Sequence, residues 1–355
     1  MRTDTARLVA LGLTITACSV AAVSTTTTTE ATTTSSSTTS TTQLPTTSTT
    51  FAGDVSPVTG LSVTDPALLD RRLLAVKIDN HPRANPQSGI DQADMVIEIL
   101  VEGVTRYLTL WQESDSDYLG PMRSARPTDT SLLVAINEPT YARSGSQEWV
   151  QAVAVQAGIH LVGEVGPPAT FRISGRNAPH NLYVDTIELR KVADGRGHPD
   201  EPPTEPLWEF GPLPTGADPA SSVTMRFAGT TTMWDWDQAS RSWLRTAYRR
   251  ESFYRDQDGT ETRVGVPVLV ALHVEQYFAM PPPGFGGSGL PSSQTVGTGT
   301  AFVFADGKVV EGIWTRESET DWFSLSTSSG ETMLVPPGKV WVSLVPSSGG
   351  LTYEP

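Results

Sequence analysis

Cysteine is almost missing from these 355 residues: there is one, Cys18. A single thiol closes no intrachain disulfide and builds no zinc–thiolate cluster, so the fold has to be held by an ordinary core. Long apolar runs are also lacking. The run at residues 8–15 is far shorter than the ~20 apolar residues that cross a bilayer, and no second membrane segment follows. Basic charge is in the minority, with 25 Lys and Arg against 39 Asp and Glu, a formal charge of −14. That balance argues against nucleic acid, whose binding relies on Lys and Arg. It also argues against lying flat on anionic lipid headgroups. There is no Gly-x-Ser-x-Gly elbow, and no two His stand at the i, i+4 spacing of a helical zinc motif.

The N-terminus carries a different kind of signal. Arg2 and Arg7 precede the apolar run, and small residues precede Cys18. This is the layout of a secretory signal over residues 1–17. Ile15-Thr16-Ala17-Cys18 resembles the bacterial lipobox, in which the Cys becomes the first mature residue and carries the lipids. The expectation is therefore a lipid-anchored protein on the extracytoplasmic face of the cell membrane, with the plasma membrane as its first partner. Cys18 used this way leaves no thiolate for catalysis. Residues 18–54 read as anchor and linker: positions 24–50 hold 22 Ser or Thr in 27. Such a tract has no apolar surface with which to offset its ordering entropy. Fully stretched it reaches ~90 Å at ~3.3 Å per residue.

Beyond the linker two regions are expected. Residues 55–200 read as a layered α/β domain with a mixed sheet. Strands are expected at 73–78, 94–102, 105–111 and 159–162, and helices at 128–136 and 146–157. A Pro-rich stretch at 201–220 is the expected boundary. Residues 221–355 read as a smaller, mainly β domain, with strands at 223–227, 231–236, 243–248, 268–274, 301–304, 309–314 and 340–345. Asp306-Gly307 is a hairpin turn between two of them, and 280–293 reads as an exposed Pro/Gly loop. The fold class is α+β.

Four segments of the first region are unusually polar for places beside strands. They are Lys77-Ile78-Asp79-Asn80-His81-Pro82-Arg83 with Pro86-Gln87-Ser88-Gly89; Glu98 and Glu102 with Gly103, Thr105 and Arg106; Gly120-Pro121-Met122-Arg123-Ser124-Ala125-Arg126-Pro127 with Asp129; and Ala178-Pro179-His180-Asn181-Leu182-Tyr183. Their order and spacing resemble the signature of the YerB-like lipoproteins. The resemblance continues through Gly297-Thr298-Gly299-Thr300-Ala301, Asp306-Gly307-Lys308, Gly312-Ile313-Trp314, Pro337-Gly338 and Trp341. It implies an α+β first domain and a β-rich second one. It implies no reaction, since members of that family are mostly of unknown function. Ala142-Arg143-Ser144-Gly145-Ser146 departs from the His-Ala-Gly-Gly-Ser-like stretch expected there.

The polar segments offer three chemistries. Arg106, Arg123 and Arg126, with Ser124 and loop amides before the helix start, suit a carboxylate or phosphate; the bland alternative is a structural network with Glu98, Glu102 and Asp129. Asp79, His81, Glu102 and His180 are ligand types for zinc or manganese. Glu98 and Glu102, with His81 or His180 as base, suggest acid–base hydrolysis. Four residues along a strand separate two carboxylates by ~13 Å, however, beyond the ~5–9.5 Å of glycoside cleavage. Trp234, Trp236, Trp243, Trp314, Trp322 and Trp341 are expected to fill the β core rather than to stack on sugars. The reading is a binding protein for an envelope polymer or protein partner, with no cofactor. Its expected ligand-binding residues are Asp79, His81, Arg83, Glu98, Glu102, Arg106, Arg123, Ser124, Arg126, Asp129, His180 and Asn181. His81, Arg123, Arg126 and His180 are expected around one cleft, with Glu98 or Glu102 as the acid. The alternative is a cell-wall hydrolase using His and carboxylates, metal-dependent or not.

Overall fold

Leu74–Asp79 forms strand β1, with every residue buried, and Met95–Leu100 (β2) and Thr105–Trp111 (β3) are buried as completely. Strands covered on both faces read as unbroken apolar runs rather than as alternation. The computed structural model in which this is seen describes residues 55–355; the signal, Cys18 and the Thr/Ser tract lie outside the described residues.

β1 pairs antiparallel with β3 and parallel with Thr140–Ala142 (β4), which pairs parallel with His160–Val162 (β5). β3 pairs antiparallel with β2. On its other side β2 takes a partner from the far end of the chain, the parallel strand Val340–Pro346. That strand leads on to Val268–Val274, Gly297–Ala305, Lys308–Arg316 and Ser324–Ser326, and the short strand Asp218–Pro219, paired with Lys308–Arg316, completes an eleven-stranded sheet. Pro127–Leu133 (α1) and Glu148–Gln156 (α2) cover one face, with Leu132, Trp149 and Val150 in its core. The other face is covered by Thr186–Gly195 (α3) and a six-stranded sheet containing Ser222–Phe227, Thr230–Asp237 and Ser242–Ala247. The architecture is α+β, with few helices and a β-rich second half.

Two expectations need correction. The Pro-rich stretch does not divide two bodies: residues 55–355 lie in one compact unit whose central sheet draws strands from both halves. Nor is 280–293 only a loop. Leu290–Ser293 pairs with Gln276–Ala279, and Ser292 Oγ lies 3.0 Å from Thr128 Oγ1 on α1. Helix α3 was not among the expected elements; Asp185 caps it by accepting from the Glu188 amide at 3.0 Å. Asp306 and Gly307, at φ 57° and 68°, do form the tight turn of a hairpin. Trp234, Trp243, Trp314 and Trp341 are core residues. Among the described residues no helix is long and apolar enough to cross a membrane.

Candidate functional site

The C-terminal end of β1, itself the first polar segment, meets parts of the other three. Asp79 is the register partner of Arg106 across β1 and β3. The segment 121–123 runs along the same end, since the Asp79 amide donates to Pro121 and the Arg123 amide to Lys77. The segment 173–181 arrives from β6 (Thr170–Arg172) and leaves into β7 (Leu182–Val184), which pair as a hairpin. Asn181 holds it closed, donating to the carbonyls of Ile173 and Arg176 at 3.3 and 3.1 Å. The Met122 amide donates to Leu182, which places His180 beside the end of β1.

Asp79 is the hub. It is 1% exposed. Its Oδ2 lies 2.7 Å from His180 Nδ1 and 3.2 Å from Arg123 Nε, and its Oδ1 accepts the His81 amide at 3.0 Å. The Arg123 contact is an ion pair but is off the hydrogen-bond line, and among the described residues this guanidinium makes no hydrogen bond. The His81 and His180 rings stack at 4.8 Å between centroids. His81 Nδ1 accepts the Arg83 amide at 3.2 Å, which leaves the proton on Nε2. Burial, and then the neighbouring His180, push His81 below its ordinary pKa, so it is neutral at pH 7. Arg83 is exposed.

A second cluster adjoins. Arg126 Nε donates to Glu102 at 2.6 Å, Arg106 Nη2 stands 3.7 Å from the same carboxylate, and Arg106 Nη1 donates to the Ser124 carbonyl at 2.9 Å. Burial alone raises Glu102, but Arg126 and Arg106 outweigh it and hold the carboxyl below its usual value. Burial, reinforced by Arg126 and Arg123, brings Arg106 down to about 10. Three guanidiniums here share two carboxylates, Asp79 and Glu102.

Several expected residues stand elsewhere. Glu98 does not face the loops. It is fully buried and takes Arg245 at 2.8 Å, Thr105 at 2.7 Å and the Trp341 indole at 3.1 Å. Arg245 lies among the rings of Tyr107, Trp234 and Trp341. The acid beside the histidines is thus Asp79, neither Glu98 nor Glu102. Asp129 is equally internal. It binds Lys77 at 2.5 Å and Tyr141 at 2.7 Å, and it accepts the Arg126 amide at 2.7 Å. The start of α1 is therefore already satisfied from within and is not an open anion seat. Asp79, His81 and His180 adjoin, but Glu102 is committed to Arg126. Among the described residues no group of three or more His, Cys, Asp or Glu side chains is arranged to hold a metal.

Three supporting residues are not among the expected binding residues. Gln87 donates to the Asp79 carbonyl and to Asn80 Oδ1, both at 3.0 Å, and Asn80 donates to Thr105 at 2.7 Å, linking the loop to Glu98. Arg245 completes that chain from the second sheet. The sign for it was alternation: Trp243, Arg245 and Ala247 share the inward face of their strand. Arg176 binds the carbonyls of Ala84, at 2.6 Å, and Pro86.

Comparison with known proteins bears on the whole chain. Residues 58–199 match the model described as "Protein of unknown function (DUF3048) N-terminal domain", and residues 223–342 match its C-terminal counterpart. The chain is 26% identical over 301 residues to a Bacillus subtilis protein named "Putative lipoprotein YerB", covering 82% of this chain and 86% of that one. A crystal structure of YerB from Bacillus subtilis superposes with a TM-score of 0.71 at 22% identity, covering 84% of this chain and 99% of that one; at that identity it speaks for the fold. With both halves matched in order, this chain belongs to the DUF3048 family of proteins of unknown function.

Proposed function

We propose that this chain is an envelope lipoprotein, held through Cys18 on the extracytoplasmic face of the cell membrane, whose body binds an anionic group of an envelope polymer or protein partner. The observation that carries the binding reading is the guanidinium of Arg123. It is part-buried, it shares one carboxylate with His180, and it makes no hydrogen bond among the described residues. Its Nε is buried without a hydrogen-bond partner, while the terminal nitrogens of the fork remain within reach of a ligand from solvent. A carboxylate or phosphate oxygen takes two of its N–H groups at once. The excess of Arg106, Arg123 and Arg126 over Asp79 and Glu102 supplies the charge such a ligand requires. The test is calorimetric titration of the full chain with inorganic phosphate and with acetate. Binding that Arg123→Ala weakens at least about ten-fold, the loss of roughly one charge-assisted contact, supports the reading. Absence of binding by the wild type removes it.

One observation favours a second reading. Asp79 orients His180 through Nδ1, the arrangement of a general base held by a buried carboxylate. A cell-wall hydrolase built on this pair would release soluble fragments from purified peptidoglycan. His180→Ala would abolish the release, and a chelator would show whether a metal takes part.

A further inference from the structure

The loop that carries His81 has a second face. Pro82, Asn85 and Pro86 form one wall of a cavity of about 450 Å3, and the turn after Ser242–Ala247 forms the other, with Tyr248, Glu251 and Phe253. That volume lies in the range of small-molecule sites. Neither His81, Arg123 nor His180 lines it.

Both walls are set before any ligand arrives. Arg176 clamps the carbonyls of Ala84 and Pro86, so the proline loop is braced from behind. The Tyr248 hydroxyl donates to the Asn80 carbonyl at 2.8 Å. Tyr248 and Arg249 stand at φ 53° and 59°, the left-handed pair that a two-residue hairpin turn between Ser242–Ala247 and Arg250–Glu251 requires, so the hairpin itself holds Tyr248 in place.

We infer that this cavity binds a neutral sugar ring of a glycan. Tyr248, Phe253, Pro82 and Pro86 all line the cavity and give it apolar surface. The electron-rich face of an aromatic ring attracts the C–H groups that line one face of a pyranose. Asn85 and Glu251 supply the donor and acceptors that hydroxyl groups require. The lining carries charge of both signs, Arg250 beside Glu251 and Glu261, and so points to neither a cationic nor an anionic ligand. Glu261 at the rim is paired with Arg255 at 2.5 Å, and Glu251 stands 4.0 Å from Arg263. The site is separate from the arginine cluster, so it stands or falls independently of the anion-binding reading.

The experiment uses the full chain in detergent with a neutral oligosaccharide of N-acetylglucosamine, observed by saturation-transfer NMR and calorimetry. Inorganic phosphate is titrated in parallel, so that failure of the arginine cluster and failure of this cavity are seen separately. Saturation should reach the ring C–H protons of the sugar. Phe253→Ala should weaken binding about ten-fold, as loss of an aromatic contact does. Glu251→Gln, at an exposed side chain that leaves the fold alone, should weaken it several-fold. No saturation transfer to the oligosaccharide, binding that both variants retain in full, or displacement of the sugar by a simple alkylammonium ion would each overturn the inference.

Discussion

Nδ1 of His180 and Oδ2 of Asp79 lie 2.7 Å apart although 101 residues separate them in the chain. The same buried carboxylate accepts the His81 amide and faces Arg123. Asp79→Ala therefore strands a guanidinium, an imidazole and an amide together. Breaking a buried pair from one side costs about 3–5 kcal/mol. Urea unfolding of Asp79→Ala should show a loss of that order, and Asp79→Asn, which still accepts the amide, a smaller one. Equal stability in all three proteins would mean that Asp79 does not organise the loops.

Glu98 and Arg245 tie the central sheet to the second sheet. Glu98→Gln and Arg245→Met should each destabilise by about 3–5 kcal/mol, since either leaves one buried charge alone. The double variant should cost less than the sum of the two. A double-mutant cycle with a coupling near zero would show that the pair acts independently of each other.

Much of this was legible. The strands at 105–111 and 268–274 could be read to the residue, because buried β-branched and aromatic runs have few other uses. The position of His81, Arg123 and His180 next to strands could also be read. The acid between them could not. Asp79 and Glu98 are both buried carboxylates on strands, and which one meets the histidines depends on what the facing sheet provides, here Arg245 on Glu98. The pairing of β2 with Val340–Pro346 was hidden for a related reason: it joins segments that no local pattern connects. Helix α3 does have its signs in the sequence, Asp185 as cap with Glu188 three residues on.

Asp94 makes stability depend on pH. It is buried and accepts from the amides of Gln112, Glu113 and Ser114 at 2.5, 3.1 and 3.4 Å. Burial first, then Glu113, raise its pKa from 3.8 to about 6. A carboxyl raised on folding stabilises most below its unfolded value, and that contribution is lost as pH rises through about 6. At ~1.4 kcal/mol per pH unit the effect is roughly 3 kcal/mol between pH 4 and pH 7. His81, His198 and His273, all lowered, act in the opposite sense. The measurement is therefore the difference between wild type and Asp94→Asn: the variant should gain on the wild type as pH rises. A constant difference across that window would refute it.

Cys18→Ala should release the chain from membranes and abolish labelling with a fatty-acid probe. Retention in the detergent phase would remove the lipid anchor from the proposal.

Residues 55–200 expressed alone should not unfold cooperatively. Without Val340–Pro346 the edge of β2 is bare, and Met95, Ile97 and Ile99 lose much of their cover. The full chain should melt in one transition. A fragment with its own sharp transition would mean that the two halves are separable after all.

The place of Val340–Pro346 between β2 and Val268–Val274 also governs the order in which the molecule is made. When β2 emerges from the ribosome its neighbour on one side is still about 240 residues away. A nascent chain that cannot close its central sheet stays threadable until synthesis is nearly finished. For the exported chain proposed above, which would pass a translocation pore before folding, the delay acts as a built-in safeguard, and shifting that strand to the N-terminus by circular permutation would take it away.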